Sequence, residues 1–239
     1  MTRFAKTTKV LLKKDFKDAF RNINMGIMLL LPPLFAALFR FTSVIPLPGN
    51  YLLMLVSVMA MTMIPLSYLA TIIAEEKEKN TLRTLMLAGV SAGEFITSKV
   101  IVVWVLMQFV NVLDYLVIGY SLSMLPAFFL VTTLGSVSLL MLGAAIGVLS
   151  KDQMSTSLIS VPVMMALLLP STMSMMSPIF ETIANFSPVE HTIRLFFMLD
   201  EGQNIFTRDG LLGLLVLLVW TLLGLGAYLI AYRKRRFDA

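Results

Sequence analysis

Six stretches of this chain, residues 24–44, 51–74, 100–121, 127–149, 158–176 and 210–232, are apolar runs close to the length a membrane span needs. A helix of about 20 residues, rising 1.5 Å per residue, crosses the hydrocarbon core of a bilayer of about 30 Å. In that solvent each backbone N–H and C=O must be satisfied within the segment, so a continuous apolar run of this length is a helix. Composition agrees: 58% of the 239 residues are hydrophobic and 14% are charged, against about 45–50% and about 25% in soluble domains. A single soluble core cannot hide such an excess, which excludes a soluble enzyme, a nucleic-acid binder and a disordered chain. The chain has no Cys and one His, so disulfides, thiolate chemistry and a His-based metal cluster are excluded, and no metal site is expected. The reading is an all-α integral membrane protein with six transmembrane helices in one domain, 1–239.

Lys and Arg fix the expected orientation. The arm before the first span carries seven (Arg3, Lys6, Lys9, Lys13, Lys14, Lys17, Arg21). The loop after the second span carries four, the loop after the fourth carries Lys151, and the tail carries Arg233, Lys234, Arg235 and Arg236. Only Arg40, Arg194 and Arg208 fall on the other side. Sixteen against three places both termini in the cytoplasm of a multi-pass plasma-membrane protein, and a bacterial membrane is expected. The net charge of +5 is then an orientation signal rather than a nucleic-acid footprint.

Three segments lie outside the spans. In the arm, 1–23, Leu12, Phe16, Ala19, Phe20 and Ile23 recur at three- and four-residue spacing, with lysines on the other faces, as in an amphipathic helix lying on the membrane. The loop 75–99 opens with Glu75, Glu76, Lys77, Glu78 and Lys79, which extend the second helix out of the bilayer. A short amphipathic segment follows through Leu82, Leu85, Met86 and Val90; Gly89 offers a stop, and Ser91 with Glu94 has the form of a capping box for the next helix. The segment 177–209 is half apolar and broken by Pro178 and Pro188. Two short re-entrant helices dipping into the outer leaflet suit it, since neither piece is long enough to cross.

At these residues the chain resembles the permease subunits of type-2 ATP-binding-cassette exporters, which share the type V exporter fold of the ABCG subfamily. Leu12-Lys13-Lys14-Asp15-Phe16-Lys17-Asp18 is similar to the family's cytoplasmic N-terminal helix, and Glu75-Glu76-Lys77-Glu78-Lys79-Asn80-Thr81-Leu82 to its E-x-E-K-G-T-L signature. Residues 147–155 resemble its turn between the fourth and fifth spans, and 232–238 its C-terminal ending. Asn80 stands where Gly is common, and Asn tolerates the left-handed backbone conformation; Arg83 stands at a position often acidic. The resemblance implies a permease that pairs with a second permease, identical or paralogous, and docks through a coupling helix onto a separate ATPase. Glu75, Glu76, Glu78, Thr81, Leu82, Arg83, Leu85 and Met86 are the coupling residues it implies. ATP and Mg belong to that partner. No G-x-x-x-x-G-K-[ST] phosphate loop occurs in the sequence, so no ATPase activity, catalytic residue or bound cofactor is expected of this chain.

In the family the second and fifth spans line the translocation path, and half of the 18 Met fall in those two spans. Flexible, polarizable Met side chains suit a slot that re-packs around varied apolar ligands. Met54, Met61, Pro65, Pro162, Met164 and Met165 are therefore the expected path residues, with the prolines as possible hinges; filler facing lipid is the alternative. Arg40 and Asp114 sit at similar height in the first and third spans and are expected to pair, with Asn111 and Gln108 below them. Gly143 and Gly147 form a G-x-x-x-G pattern that lets helices approach closely, read as packing within the subunit. Glu190 and His191 read as surface or interface residues. The expected function is export of a hydrophobic or amphipathic compound (a drug, antimicrobial peptide or lipid). The alternatives are a sodium or small-ion exporter, and a secondary transporter that needs no ATPase.

Overall fold

A computed structural model describes residues 3–21, 23–42, 48–174 and 177–235. Among them there is no strand; the chain is a bundle of helices. In order these are α1 (Arg3–Arg21), α2 (Ile23–Thr42), α3 (Gly49–Met63), α4 (Ala70–Glu78), α5 (Thr81–Leu87), α6 (Ala92–Ile118), α7 (Leu125–Leu149), α8 (Gln153–Met173), α9 (Pro178–Ala184), α10 (Pro188–Asp200) and α11 (Arg208–Arg235). A π-helical turn, Ile64–Leu69, joins α3 to α4 in one continuous rod.

Five helical stretches are long and apolar enough to cross a membrane: Gly49–Glu78, Ala92–Ile118, Leu122–Leu149, Gln153–Met173 and Arg208–Tyr232. They correspond to the second through sixth expected spans. The first expected span falls on α2, Ile23–Thr42; Val44, its expected end, lies outside the described residues.

Local chemistry sets the helix boundaries. Ser91 and Glu94 form the expected capping box, so α6 starts eight residues before the apolar run at Val100. Asp152 and Ser155 form a second box and start α8 at Gln153 rather than 158. Asn80 adopts φ 56° between α4 and α5, the left-handed conformation that Asn tolerates. Pro178 and Pro188 open α9 and α10 behind Ser177 and Ser187, whose hydroxyls accept from Ile179 and Val189 N–H. Proline is suited to the first helical position because its missing N–H would have no partner there.

The centre of the bundle is α7, packed against α4, the π turn, α6, α10 and α11. In lipid no hydrophobic force drives helices together, and close backbone approach does much of that work. Gly143 and Gly147 supply it. A Cβ built on Gly143 would lie 1.9 Å from the Pro65 carbonyl oxygen, and one on Gly147 2.8 Å from that of Ala70.

The two ends of the bundle differ. At the basal end, defined by α1 and α5, α1 lies along α6. It turns inward Thr8, Leu11, Asp15 and Ala19, with Leu12 and Phe16 half-buried. The face expected from Leu12, Phe16 and Ala19 is thus rotated by about one residue, because Asp15 has partners inside. Phe20 and Ile23 have side chains outside the described residues. At the distal end, Phe128 of α7 packs edge-on against Phe196 of α10, with centroids 5.8 Å apart, and Tyr115 lies 5.0 Å from Phe128. Asp200 closes this end, accepting from the Tyr120 hydroxyl and, at 3.0 Å, from Asn50 Nδ2.

Candidate coupling and transport sites

The charged run that ends α4 is bound almost entirely within the chain. Glu76 Oε1 accepts from Lys99 Nζ at 2.7 Å and from Lys14 Nζ at 2.6 Å. Lys99, 3% exposed, also reaches Asp15 Oδ1 at 3.1 Å, while Ser98 Oγ donates to Asp15 Oδ2 at 2.8 Å. Lys14 has a further carboxylate in Asp18, at 3.5 Å. Two carboxylates and two ammonium groups therefore join α1, α4 and α6 at one point. Burial pulls the Lys14 ammonium down, but the hydrogen bond to Glu76 and the charges of Glu76, Asp15 and Asp18 outweigh it and raise its pKa above the ordinary value.

The next two residues bind the opposite side of the bundle. Lys77 Nζ donates to the carbonyls of Val148, at 2.6 Å, and Ser150, which end α7. Glu78 Oε2 accepts from Gln153 N–H, at 3.1 Å, at the start of α8, where acidic groups complement the helix dipole. Asp152 caps the same helix; the Ser155 N–H and hydroxyl hold its carboxyl below the usual range. Glu75 pairs with Lys79 one turn on.

These contacts set α5 on a braced stem. The Thr81 hydroxyl donates to the Glu76 carbonyl at 3.0 Å. Leu82, Leu85 and Met86 are half-buried, and Leu82 and Leu85 pack on the core. Arg83, Thr84 and Leu87 point outward, Leu87 being 82% exposed. At the far end of the loop, Gly89 has φ 84° and its carbonyl accepts from Arg3 at 3.2 Å. Of the expected coupling residues, then, Glu75, Glu76 and Glu78 make contacts inside the chain, while Arg83 and Thr81 are exposed. Leu87, Lys99 and Asp15 were not among them. The available signals were a lone Lys at the mouth of an apolar span and an acid on the arm's helix.

The expected path residues divide between two environments. Met54 and Met61 are buried in the core of the subunit, and Pro65 is buried at the π turn. Pro162 and Met165 are exposed on α8, and Met164 is half-buried. Ser67 Oγ lies 3.5 Å from Ser160 Oγ, linking the two spans. On α8, Met154, Leu158, Val161, Met165 and Leu169 form one exposed stripe at three- and four-residue spacing.

Arg40 and Asp114 are not brought together. Arg40 is exposed, whereas Asp114 is fully buried and neither of its oxygens has a partner. Within the last turn of α2 the Arg side chain reaches the surface on its long stem, as such residues do near span ends. Gln108 and Asn111 do bond each other, at 3.1 Å. Glu190 and His191, expected at the surface or an interface, are both buried in the subunit: His191 Nε2 lies 2.9 Å from the Asn185 carbonyl oxygen, and Glu190 accepts from Arg194 at 2.8 Å. Among the described residues no group of His, Asp and Glu is placed to hold a metal.

The family model described as "ABC-2 family transporter protein" matches residues 20–232. No curated protein matches the chain.

Proposed function

The chain belongs to the ABC-2 family of transporter proteins, and from that premise we propose that it is the permease subunit of an ATP-driven exporter of hydrophobic or amphipathic compounds. Two such subunits form the translocation path between them, each crossing the membrane six times with its termini in the cytoplasm. α9 and α10 are the re-entrant pair at the outer side. A separate ATPase binds ATP and Mg and engages α5.

The observation that carries this reading is the bracing of α5. Its stem is tied to α1 and α6 through Glu76 and to the α7–α8 turn through Lys77 and Glu78. A push on the exposed Arg83 and Leu87 therefore reaches four helices at once. Transport would need that rigidity, because a floppy loop would dissipate the motion of a motor. The exposed Met165 and half-buried Met164 of α8 support an adaptable apolar path on that side, whereas Met54 and Met61 lie inside the subunit.

Co-expression with an ATP-binding-cassette ATPase that co-purifies with the chain tests the reading. The complex should hydrolyse ATP, and Leu87→Asp should abolish capture of the ATPase while the permease still folds. If the chain alone, in proteoliposomes, moves a substrate down an imposed ion gradient, the secondary-transporter reading replaces this one. If the complex moves sodium but no amphipathic compound, the small-ion reading does.

A further inference from the structure

Asp114 is a buried carboxyl group with no hydrogen-bond partner. Its residue has 0% exposure, and both oxygens are unpartnered. One turn back along α6, Asn111 is 1% exposed and its Oδ1 is unpartnered as well. The orientation of that amide is set by its neighbours. Asn111 Nδ2 donates to Gln108 Oε1 at 3.1 Å, and Gln108 Nε2 donates to Thr133 Oγ1 at 2.7 Å, to Thr132 Oγ1 at 3.3 Å and to the Phe129 carbonyl at 3.3 Å. Turning Asn111 over would set its oxygen against that of Gln108. Three acceptor oxygens therefore lie on adjacent turns of one helix face with no donor of their own.

The surroundings supply no counter-charge. α6 packs against α1, α2, α3, the π turn and α7. The described part of α2 offers only Arg40, which is exposed; α3 offers Tyr51, also exposed; and α7 has no charged residue. Tyr68 of the π turn has Asp15 and Glu75 as its charged neighbours, near the basal end. Tyr115, on α6 itself, donates its hydroxyl to the Ser121 carbonyl. On α1 the buried charge is Asp15, which pairs with Lys99, 15 residues before Asp114, or about 22 Å along the helix.

An unpaired carboxylate in such a place is strongly disfavoured, whereas the neutral acid needs only one acceptor. A divalent metal ion asks for about six oxygen ligands, twice what Asp114 and Asn111 offer. We propose that Asp114 is a proton-binding site within the membrane, its carboxyl O–H donating to Asn111 Oδ1. Asp114 lies four residues before Ile118, where α6 ends, so water at the distal end, about 6 Å away along the axis, is the source of the proton. A movement that parts α6 from α2 or α3 would wet the carboxyl and release the proton, adding proton binding to the conformational cycle.

Dicyclohexylcarbodiimide reacts with protonated carboxyl groups sheltered from water and reports on the unmodified chain. Labelling of the detergent-purified protein at about pH 6, well above the ordinary Asp range, should place the adduct on Asp114 in a mass-spectrometric peptide map. The exposed Glu201 and Asp209 should stay unmodified. Raising the pH should lower the yield at Asp114 at least tenfold, and replacing choline chloride by NaCl should leave it unchanged. Asp114→Asn, which keeps a neutral donor toward Asn111, should melt within a few degrees of the wild type. Absence of the adduct at about pH 6 would overturn the proposal, as would protection by sodium, which would make this a cation site. A large loss of thermal stability in Asp114→Asn would overturn it too, because the fold would then require the charge itself.

Discussion

Lys99 opens an apolar span, yet only 3% of its side chain reaches the surface, and its ammonium is shared between Asp15 and Glu76. A buried ion pair gives little net stability compared with apolar packing, but removing one partner leaves the other charged and unsolvated. Lys99→Met should therefore destabilise the fold by about 3–5 kcal/mol, read as a drop in the melting temperature of the purified chain. Adding Glu76→Gln and Asp15→Asn should restore much of the loss. Lys14 gives the same cluster a pH signature. Its folded-state pKa lies above the ordinary 10.5, so its contribution is complete below that value and fades as pH rises through the folded one. The stability gap between wild type and Lys14→Met should narrow in alkali, which a melting series checks. Glu76 was legible in the sequence as part of a signature, but its role was not. Its partners Lys14 and Lys99 lie 62 and 23 residues away, and only the gathering of α1 and α6 at the end of α4 brings them to it.

Elements were the most legible level, because caps and breakers act locally. Ser91 with Glu94, Pro178, Pro188 and Gly89 mark helix ends that the fold uses. The rotation of α1 was illegible for the converse reason: an amphipathic stripe names the apolar face, and Asp15 counts against burial until its partners are known. The π turn falls between these cases. Pro65 signals a disturbed helix, since its ring removes a backbone donor, but nothing local specifies that six residues widen into a π turn. Gly143 presses against this turn, where an added methyl would meet the Pro65 carbonyl, whereas a Cβ on Gly226 of α11 has nothing within 4 Å. Gly143→Ala should thus cost about 1–3 kcal/mol through forced separation of α7 from the turn. Gly226→Ala should be neutral or slightly stabilising, since Ala is the better helix former. Thermal melts of the two variants in one detergent separate a crowding effect from a general intolerance of α7 and α11 to change.

At the scale of the molecule, two helices are conspicuously uncovered. The most apolar window of Gly49–Glu78 is 78% buried, but those of Gln153–Met173 and Arg208–Tyr232 are only 28% and 22% buried. The exposed sides differ in chemistry. On α11 they are Leu211, Leu212, Leu215, Leu218, Val219 and Leu222, a surface suited to lipid tails. On α8 the stripe of Met154, Leu158, Val161, Met165 and Leu169 is accompanied by exposed Ser157, Pro162 and Thr172, and small and polar residues favour helix contacts over lipid. If two copies pair as proposed, α8 is expected to face its counterpart across the two-fold axis, with α11 toward the bilayer. An isologous interface brings each residue near the axis close to its own copy. The chain contains no Cys, so single cysteines can be introduced without background. Leu158→Cys or Met165→Cys should form a disulfide-linked dimer in membranes under mild oxidation, and Leu218→Cys or Leu222→Cys should remain monomeric on the same gel. Cross-linking from α11 and none from α8 would reverse the arrangement and move the translocation path away from the methionines of the fifth span.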